Sequence, residues 1–288
     1  MHHQNNSPLI MFEGRKLLIA TQHGKEKIIA PVLEKEFGVT CIVNQEFDTD
    51  SLGTFSGEME RKNDVITTLR KKCLSALQYY QCDLVIASEG SFGAHPSVFF
   101  IPANEEHLML LDLENNLEIV ANVLSTSTNF NGTYINSEEE LIEFSSTAQF
   151  PSHGLILKSN ETNFSKCYKG ITNKEELKLK FNEILNSFGK VFVETDMRAC
   201  YNPTRMKVIE QTTYQLVEKI KNKCPLCKTP GFEIKEVTRG LPCNLCNSPT
   251  QSVLSVNYHC KKCLHKETKL FPNTKQYEDP MYCDYCNP

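Results

Sequence analysis

No apolar run in the 288-residue chain reaches the roughly 18 residues that a membrane helix needs. A helical membrane protein is therefore excluded. Positive charge is not in excess either: Lys and Arg number 31 against 35 Asp and Glu, a formal charge of −4. That argues against a broad polybasic surface for nucleic acid or lipid. The first residues, Met1 to Pro8, are polar and hold no basic-then-apolar signal, so secretion is not expected. Gly-x-Ser-x-Gly and Ser/His/Asp arrangements are missing, and the chain does not read as a nucleophilic hydrolase. What remains is ordinary globular composition, 40% apolar and 23% charged, long enough for a large α/β domain plus a small module.

Cysteine is unevenly spread. Of thirteen, five (Cys41, Cys73, Cys82, Cys167, Cys200) are scattered with no shared spacing. The other eight form four C-x-x-C pairs: Cys224/Cys227, Cys243/Cys246, Cys260/Cys263 and Cys283/Cys286. Both sulfurs of such a pair can face one side of a tight knuckle, and two knuckles complete a tetrahedral thiolate shell. Eight thiols make two structural zinc sites with no open ligand position. The segment is poor in apolar residues, so metal binding should supply most of its folding energy. A thiol-rich, metal-holding tail implies a reducing, cytoplasmic setting. The β-prone Ser252–Tyr258 between the second and third knuckles suggests a ribbon, with the first and fourth closing an outer site. Sequential pairing is the alternative. Pro225 and Pro242 stiffen the knuckles, and Gly231 and Gly240 permit tight turns.

Charge limits what this module binds. With eight basic and six acidic residues from Cys224 onward, eight thiolates and two Zn²⁺ leave it at about −2. Only Lys261-Lys262 through Lys269 offers a basic patch for nucleic acid. A protein-contacting or purely stabilising role fits at least as well.

The rest of the chain alternates strand and helix signals. Short apolar runs at Leu17–Ala20, Val39–Val43, Leu84–Ala87, Leu155–Leu157 and Val191–Val193 read as strands. Helical spacing marks Lys25–Phe37, Asp64–Tyr79, Glu175–Leu185 and Pro203–Lys221, the last opened by the cap pair Asn202-Pro203. Ser137 and Glu140 make a capping box, and Leu108–Asp112 with Leu117–Val123 reads as a hairpin. The expected class is α/β, a mixed and mostly parallel sheet with covering helices. The expected division is a flexible N-terminus 1–14, an α/β domain 15–221 and a zinc-binding module 222–288.

Four polar clusters fall where strands end, the usual place for ligands in open α/β sheets. The first is Thr21 to Lys27, where Thr21, Lys25 and Lys27 stand at a helix start suited to phosphate. The second is Asp50 to Arg61, mixing carboxylates, hydroxyls and glycines. In the third, Ser88-Glu89-Gly90-Ser91-Phe92-Gly93, the strand breaks and Glu89 offers oxygen ligands for a hard cation. The fourth holds Asp196, Arg198, Asn202 and Arg205, read as a site ahead of an internal Asp196–Arg198 or Asp196–Arg205 ion pair. His95 and His153, in turns, are taken as structural.

In the order of these segments the chain resembles the inosine/xanthosine triphosphate pyrophosphatase superfamily. The resemblance rests on Ile-Ala-Thr-Gln-His-Gly-Lys-Glu-Lys, Gly-Thr-Phe-Ser-Gly-Glu and Ile-Ala-Ser-Glu-Gly-Ser-Phe-Gly. It implies that Lys25 or Lys27 meets phosphate, that Asp50, Glu58 or Glu60 and Glu89 hold Mg²⁺, and that Arg198 stands near a base-contacting position. Gln22-His23 and Glu89 depart from the superfamily's pattern, and its Asn-Ala after Thr-Phe is absent. More closely, the chain resembles a family of uncharacterised bacterial proteins sharing Ser-Glu-Gly-Ser-Phe-Gly, Thr-Asp-Met-Arg-Ala, Asn-Pro-Thr-Arg-Met and a Cys-Pro-x-Cys tail. The expected function is a Mg²⁺-dependent hydrolase of a nucleoside triphosphate or related nucleotide. Glu58 and Glu89 would be catalytic, with Thr21, Lys25, Lys27, Arg61, Asp196, Arg198, Asn202 and Arg205 on the ligand. The alternative is a non-catalytic nucleotide- or RNA-binding sensor.

Overall fold

Apolar runs between polar turns become strands and helices much where their spacing places them. A computed structural model describes residues 11–43, 64–162 and 164–288. The first elements are β1 Lys16–Ala20, α1 Glu26–Phe37, β2 Thr40–Val43, α2 Val65–Tyr79, β3 Leu84–Ala94, β4 Pro102–Asp112 and β5 Leu117–Ser125. Then come β6 Gly132–Ile135, α3 Glu138–Thr147, β7 Leu155–Lys158, β8 Cys167–Ile171, α4 Lys174–Phe188, β9 Val191–Thr195 and α5 Pro203–Lys221. Three strands close the chain: β10 Glu233–Arg239, β11 Val253–His259 and β12 Lys266–Leu270. The chain divides into two compact units, Met1–Val217 and Glu218–Pro288.

Helix ends follow local chemistry. Asp64, Ser137 and Asn173 each accept N–H bonds from the first turns of α2, α3 and α4, which satisfies donors the helix cannot. Gly38 and Gly189 stop α1 and α4 in the left-handed conformation, at φ 66 and 73, where a Cβ would be strained. Residues 1–10 of the expected N-terminal tail lie outside the described residues. Phe12, further along it, is buried against Phe37 at 5.7 Å.

The first unit holds two sheets. In the order β2-β1-β3-β4-β5, β1 lies parallel to β2 and β3, and β4 and β5 continue antiparallel. The other sheet, β6-β9-β7-β8, is antiparallel throughout. The fold is thus the expected α/β type with a mixed sheet, its parallel part confined to β2-β1-β3. Parallel neighbours need a long crossover, which α1 and α2 supply. The short links from β3 to β4 and from β4 to β5 turn the chain straight back. In the first sheet, Leu69, Cys73 and Ala76 of α2 pack on Leu18, Val85 and Met109. In the second, Phe181 and Ile184 of α4 and Phe144 of α3 pack on Leu155, Leu157 and Val193.

One strand corrects the sequence reading. β3 does not break after Ala87 but runs to Ala94, paired with β4 along its whole length. Ser88 to Gly93 is therefore extended strand, not a turn. Its glycine answers to crowding: a Cβ at Gly90 would stand 2.5 Å from Glu106 Oε1 and 2.6 Å from Arg205 Nη2. β1 accompanies β3 only as far as Ala20 opposite Ala87. Past that point β3 has no β1 neighbour, and a cleft opens there.

In the second unit, β10, β11 and β12 form an antiparallel meander. Its strands alternate in direction, so the segment before β10 and the β11–β12 link share one end. The β10–β11 link and the segment after β12 share the other.

Candidate functional site

That meander decides the cysteine pairing. Cys224, Cys227, Cys260 and Cys263 bring their sulfurs together, as do Cys243, Cys246, Cys283 and Cys286. First knuckle pairs with third and second with fourth, which overturns both the nested and the sequential expectation. The reason is distance: a seven-residue strand such as β10 or β11 spans about 23 Å, so successive knuckles lie at opposite ends of the sheet.

The knuckles share one local geometry. Lys228, Asn247, Leu264 and Asn287 each donate their N–H to the carbonyl of the first cysteine of the pair, at 2.9–3.0 Å. Lys228, Asn247 and Leu264 adopt φ near 60 to do so.

A tetrahedral ion with metal–sulfur distances of about 2.3 Å requires sulfurs about 3.8 Å apart. Cys224 and Cys263 are 3.6 Å apart, Cys227 and Cys260 3.5 Å, Cys243 and Cys286 3.8 Å, and Cys246 and Cys283 3.7 Å. These spacings fit a shared ion and are far too long for disulfides. Hydroxyl donors favour thiolate: Thr229 pulls Cys227, and Ser248 pulls Cys246, down to about 6. Crowding opposes it: beside Cys246, the Cys286 thiol is pushed up to about 12. Four thiolates cannot coexist there without a cation to hold them. Each group could hold one metal ion, with four sulfurs and no vacancy for a substrate.

The cleft belongs to the first unit and encloses about 630 Å³. Thr21, Lys25, Glu89, Asp196, Arg198 and Arg205 all line it, bringing three of the four polar clusters to one place. The second cluster, with Asp50, Glu58, Glu60 and Arg61, lies outside the described residues. Lys27 is exposed on α1 and is not among the lining residues. Asn202 does not line the cleft either; its Oδ1 accepts the Arg205 N–H at 2.9 Å and caps α5.

Most charges here are paired. Lys72 reaches Glu89 at 2.5 Å, Arg205 reaches Glu106 at 2.7 Å, and Arg198 reaches Asp196 at 2.6 Å. The last is the internal ion pair considered from sequence, and the Gly170 N–H adds a further bond to Asp196. Arg198 uses Nε and Nη2 on Asp196, which leaves Nη1 for another acceptor. Lys25 is held differently. Its Nζ lies 2.9 Å from Ser88 Oγ, which is 3.0 Å from Thr21 Oγ1. Burial, reinforced by the charge of Arg205, pushes Lys25 down to about 7. Aromatic rings form the apolar wall, with Phe92 stacked on Phe130 at 5.7 Å and Arg205 over the Phe92 ring at 5.0 Å. His153 bonds Ser152 and Thr204 at 3.0 and 2.9 Å and is not among the lining residues.

Sequence reasoning missed Lys72, Glu106 and the contact of Ser88 with Lys25. Two signals were there to find. Lys72 falls in the buried helical stripe of Leu69, Cys73 and Ala76, and Glu106 shares one buried strand face with Asn104 and Leu108. A charge on an apolar face is seldom left without a partner.

No curated protein matches the chain. A family match covers residues 72–288, which takes in Ser88, Glu89, Asp196, Arg198, Arg205 and all eight C-x-x-C cysteines but not Thr21 or Lys25. With three quarters of its length so matched, the chain belongs to the family described as a domain of unknown function, DUF6671.

Proposed function

We propose that the cleft binds a phosphate-bearing nucleotide and that each four-cysteine group holds a structural zinc ion. The observation that carries the nucleotide reading is the meeting of Lys25, Arg198 Nη1 and the Phe92–Phe130 stack in one cleft. A volume of about 630 Å³ lies within the range of small-molecule sites. Phosphate would sit between the Lys25 and Arg198 ends, drawing a proton onto Lys25, and the base would lie against the rings. Zinc suits an all-thiolate tetrahedral shell better than a hard cation does.

Mg²⁺-dependent hydrolysis is the second reading, favoured by Glu89 on the cleft wall and by the resemblance of the strand segments. Among the described residues the only ligand groups close enough to share an ion are the two thiolate sets, and Glu89 faces Lys72. A metal at Glu89 would have to displace that lysine and recruit acids such as Asp50 or Glu58. Thermal shift with AMP, ATP, ITP and XTP, with and without Mg²⁺, tests binding. A stabilisation lost in Arg198→Ala is expected, and no shift by any nucleotide refutes the reading. Phosphate release that needs Mg²⁺ and falls in Glu89→Gln would establish hydrolysis. RNA binding through Lys261 and Lys262 predicts an affinity that falls with salt and is lost in the double Lys→Glu variant.

A further inference from the structure

Lys25 stands apart from the other cleft cations. Lys72, Arg198 and Arg205 each meet a carboxylate, whereas Lys25 meets a hydroxyl. Thr21, Ser88 and Lys25 are 4%, 3% and 6% exposed, yet all three border the cleft. A serine hydroxyl is a weak nucleophile until a neighbouring base takes its proton. An ammonium cannot do so, but a neutral amine at 2.9 Å can.

We propose that Ser88 is a nucleophile with Lys25 as its base, and that the cleft transfers acyl groups from carboxylic esters. Ser88 Oγ bonds to the ester carbonyl carbon while its proton passes to Lys25 Nζ. The ester C–O bond then breaks, and the alcohol leaves with the proton that Lys25 carries. Water attacks the acyl-serine by the same route, giving its proton to Lys25; Ser88 Oγ recovers it, and the carboxylic acid departs. No oxidant, metal or further reactant is needed. Thr21 Oγ1, 3.0 Å from Ser88, orients the hydroxyl. An acyl substrate suits this corner because Lys72, Arg198 and Arg205 already meet carboxylates and Phe92, Phe130, Phe192 and Ile156 give the cleft an apolar wall.

The surroundings ease the proton off the amine, which holds it only to about 7. Burial acts first; Arg205 and Lys72 oppose a further positive charge, while Glu106 and Glu89 favour it without prevailing. This inference goes beyond the nucleotide reading, since it concerns the electrophile and not the anion.

The test is labelling of the full, metal-loaded chain by a fluorophosphonate, whose phosphorus takes Ser88 Oγ as fluoride leaves, with the adduct located by peptide mass spectrometry. Labelling at Ser88 should rise with pH through about 7 and level off. It should fall about a hundredfold in Lys25→Met and vanish in Ser88→Ala. A burst of p-nitrophenol from p-nitrophenyl acetate or butyrate should follow the same pattern. Both variants must keep their metal and a cooperative melt; the wild-type pH profile serves where they do not. An unlabelled Ser88 up to pH 9 overturns the proposal, as does labelling that ignores pH or Lys25→Met in folded protein. Labelling upholds it whether or not AMP slows the reaction, because protection by AMP bears on the ligand reading alone.

Discussion

The two units are held together by different means. In the first, a dozen buried apolar residues gather over one sheet alone, among them Phe181, Ile184 and Leu157. In the second, a buried cluster gathers Cys224, Phe232 and Cys260, and two of those three belong to a four-cysteine group that could hold a metal ion. Strand β10 is almost wholly exposed, and every residue of β12 is. A chain segment that small cannot offset its ordering entropy by apolar burial. A four-sulfur shell leaves no position for a substrate, while the well-packed unit holds Lys25 against a hydroxyl beside an open cleft.

The sharpest way to break this contrast is to remove metal. Chelation or thiol modification should release two zinc equivalents and unfold the second unit, since structural zinc supplies about 10–16 kcal/mol of apparent binding energy. The first unit should keep its cooperative melt. Paired cysteine variants report the connectivity. Cys224→Ala with Cys260→Ala should leave one zinc, because both serve one site; Cys224→Ala with Cys243→Ala should leave none. Nested or sequential pairing gives other counts, so zinc analysis of these two proteins decides the question. In the first unit the comparable injury is to Arg205, 1% exposed and bound to an equally buried Glu106. Arg205→Met strands that carboxylate and should cost about 3–5 kcal/mol in urea unfolding, with both zincs retained.

How far the chain could be read in advance follows the same division. The four knuckles were plain because two-residue thiol spacing has few other uses. Their partners were not, since pairing depends on strand direction and β10 and β12 carry little apolar signal: Glu233, Lys235, Glu236 and Thr238 do not read as a buried strand. In the first unit, Leu17–Ala20 and Val191–Val193 announced themselves as apolar runs. Ser88 to Gly93 did not, because a polar, glycine-bearing strand lining a cleft looks like a turn until its partner β4 is known. The clusters at Thr21, Glu89 and Asp196 were legible as polar residues near strand ends. That Lys72 and Glu106 would occupy two of those charges was not, since both partners lie more than fifteen positions away in sequence.

A smaller effect sharpens the contrast through pH. Lys25 holds its proton to about 7 when folded and to about 10.5 when unfolded. Between those values the unfolded chain binds a proton that the folded chain does not, so stability from this group rises with pH across the window. Below about 7 both states are protonated and the folded protein carries a buried ammonium at full cost. Lys25→Met should therefore stabilise the first unit most near neutral pH. Its advantage over wild type should shrink by about 1.4 kcal/mol per pH unit toward 10. Urea unfolding of both proteins at pH 7 and 9.5 measures the slope, and parallel curves would mean that Lys25 is not held neutral.

Smallest is the loss of a helix cap. Asn173 Oδ1 accepts N–H bonds from Glu175 and Glu176 at 2.8 and 3.1 Å, so Asn173→Ala should cost about 1 kcal/mol, and Asn173→Asp almost nothing. What makes so slight a change useful is where its effect should stop. α4 packs on the second sheet of the first unit through Leu177, Phe181 and Ile184, far in sequence from any zinc ligand. If that unit melts on its own apolar core, the cap lowers its transition alone and zinc content stays at two. A metal-release midpoint that moved in step with the cap would show instead that the two units unfold as one, and that thiolate and apolar packing share a single cooperative transition.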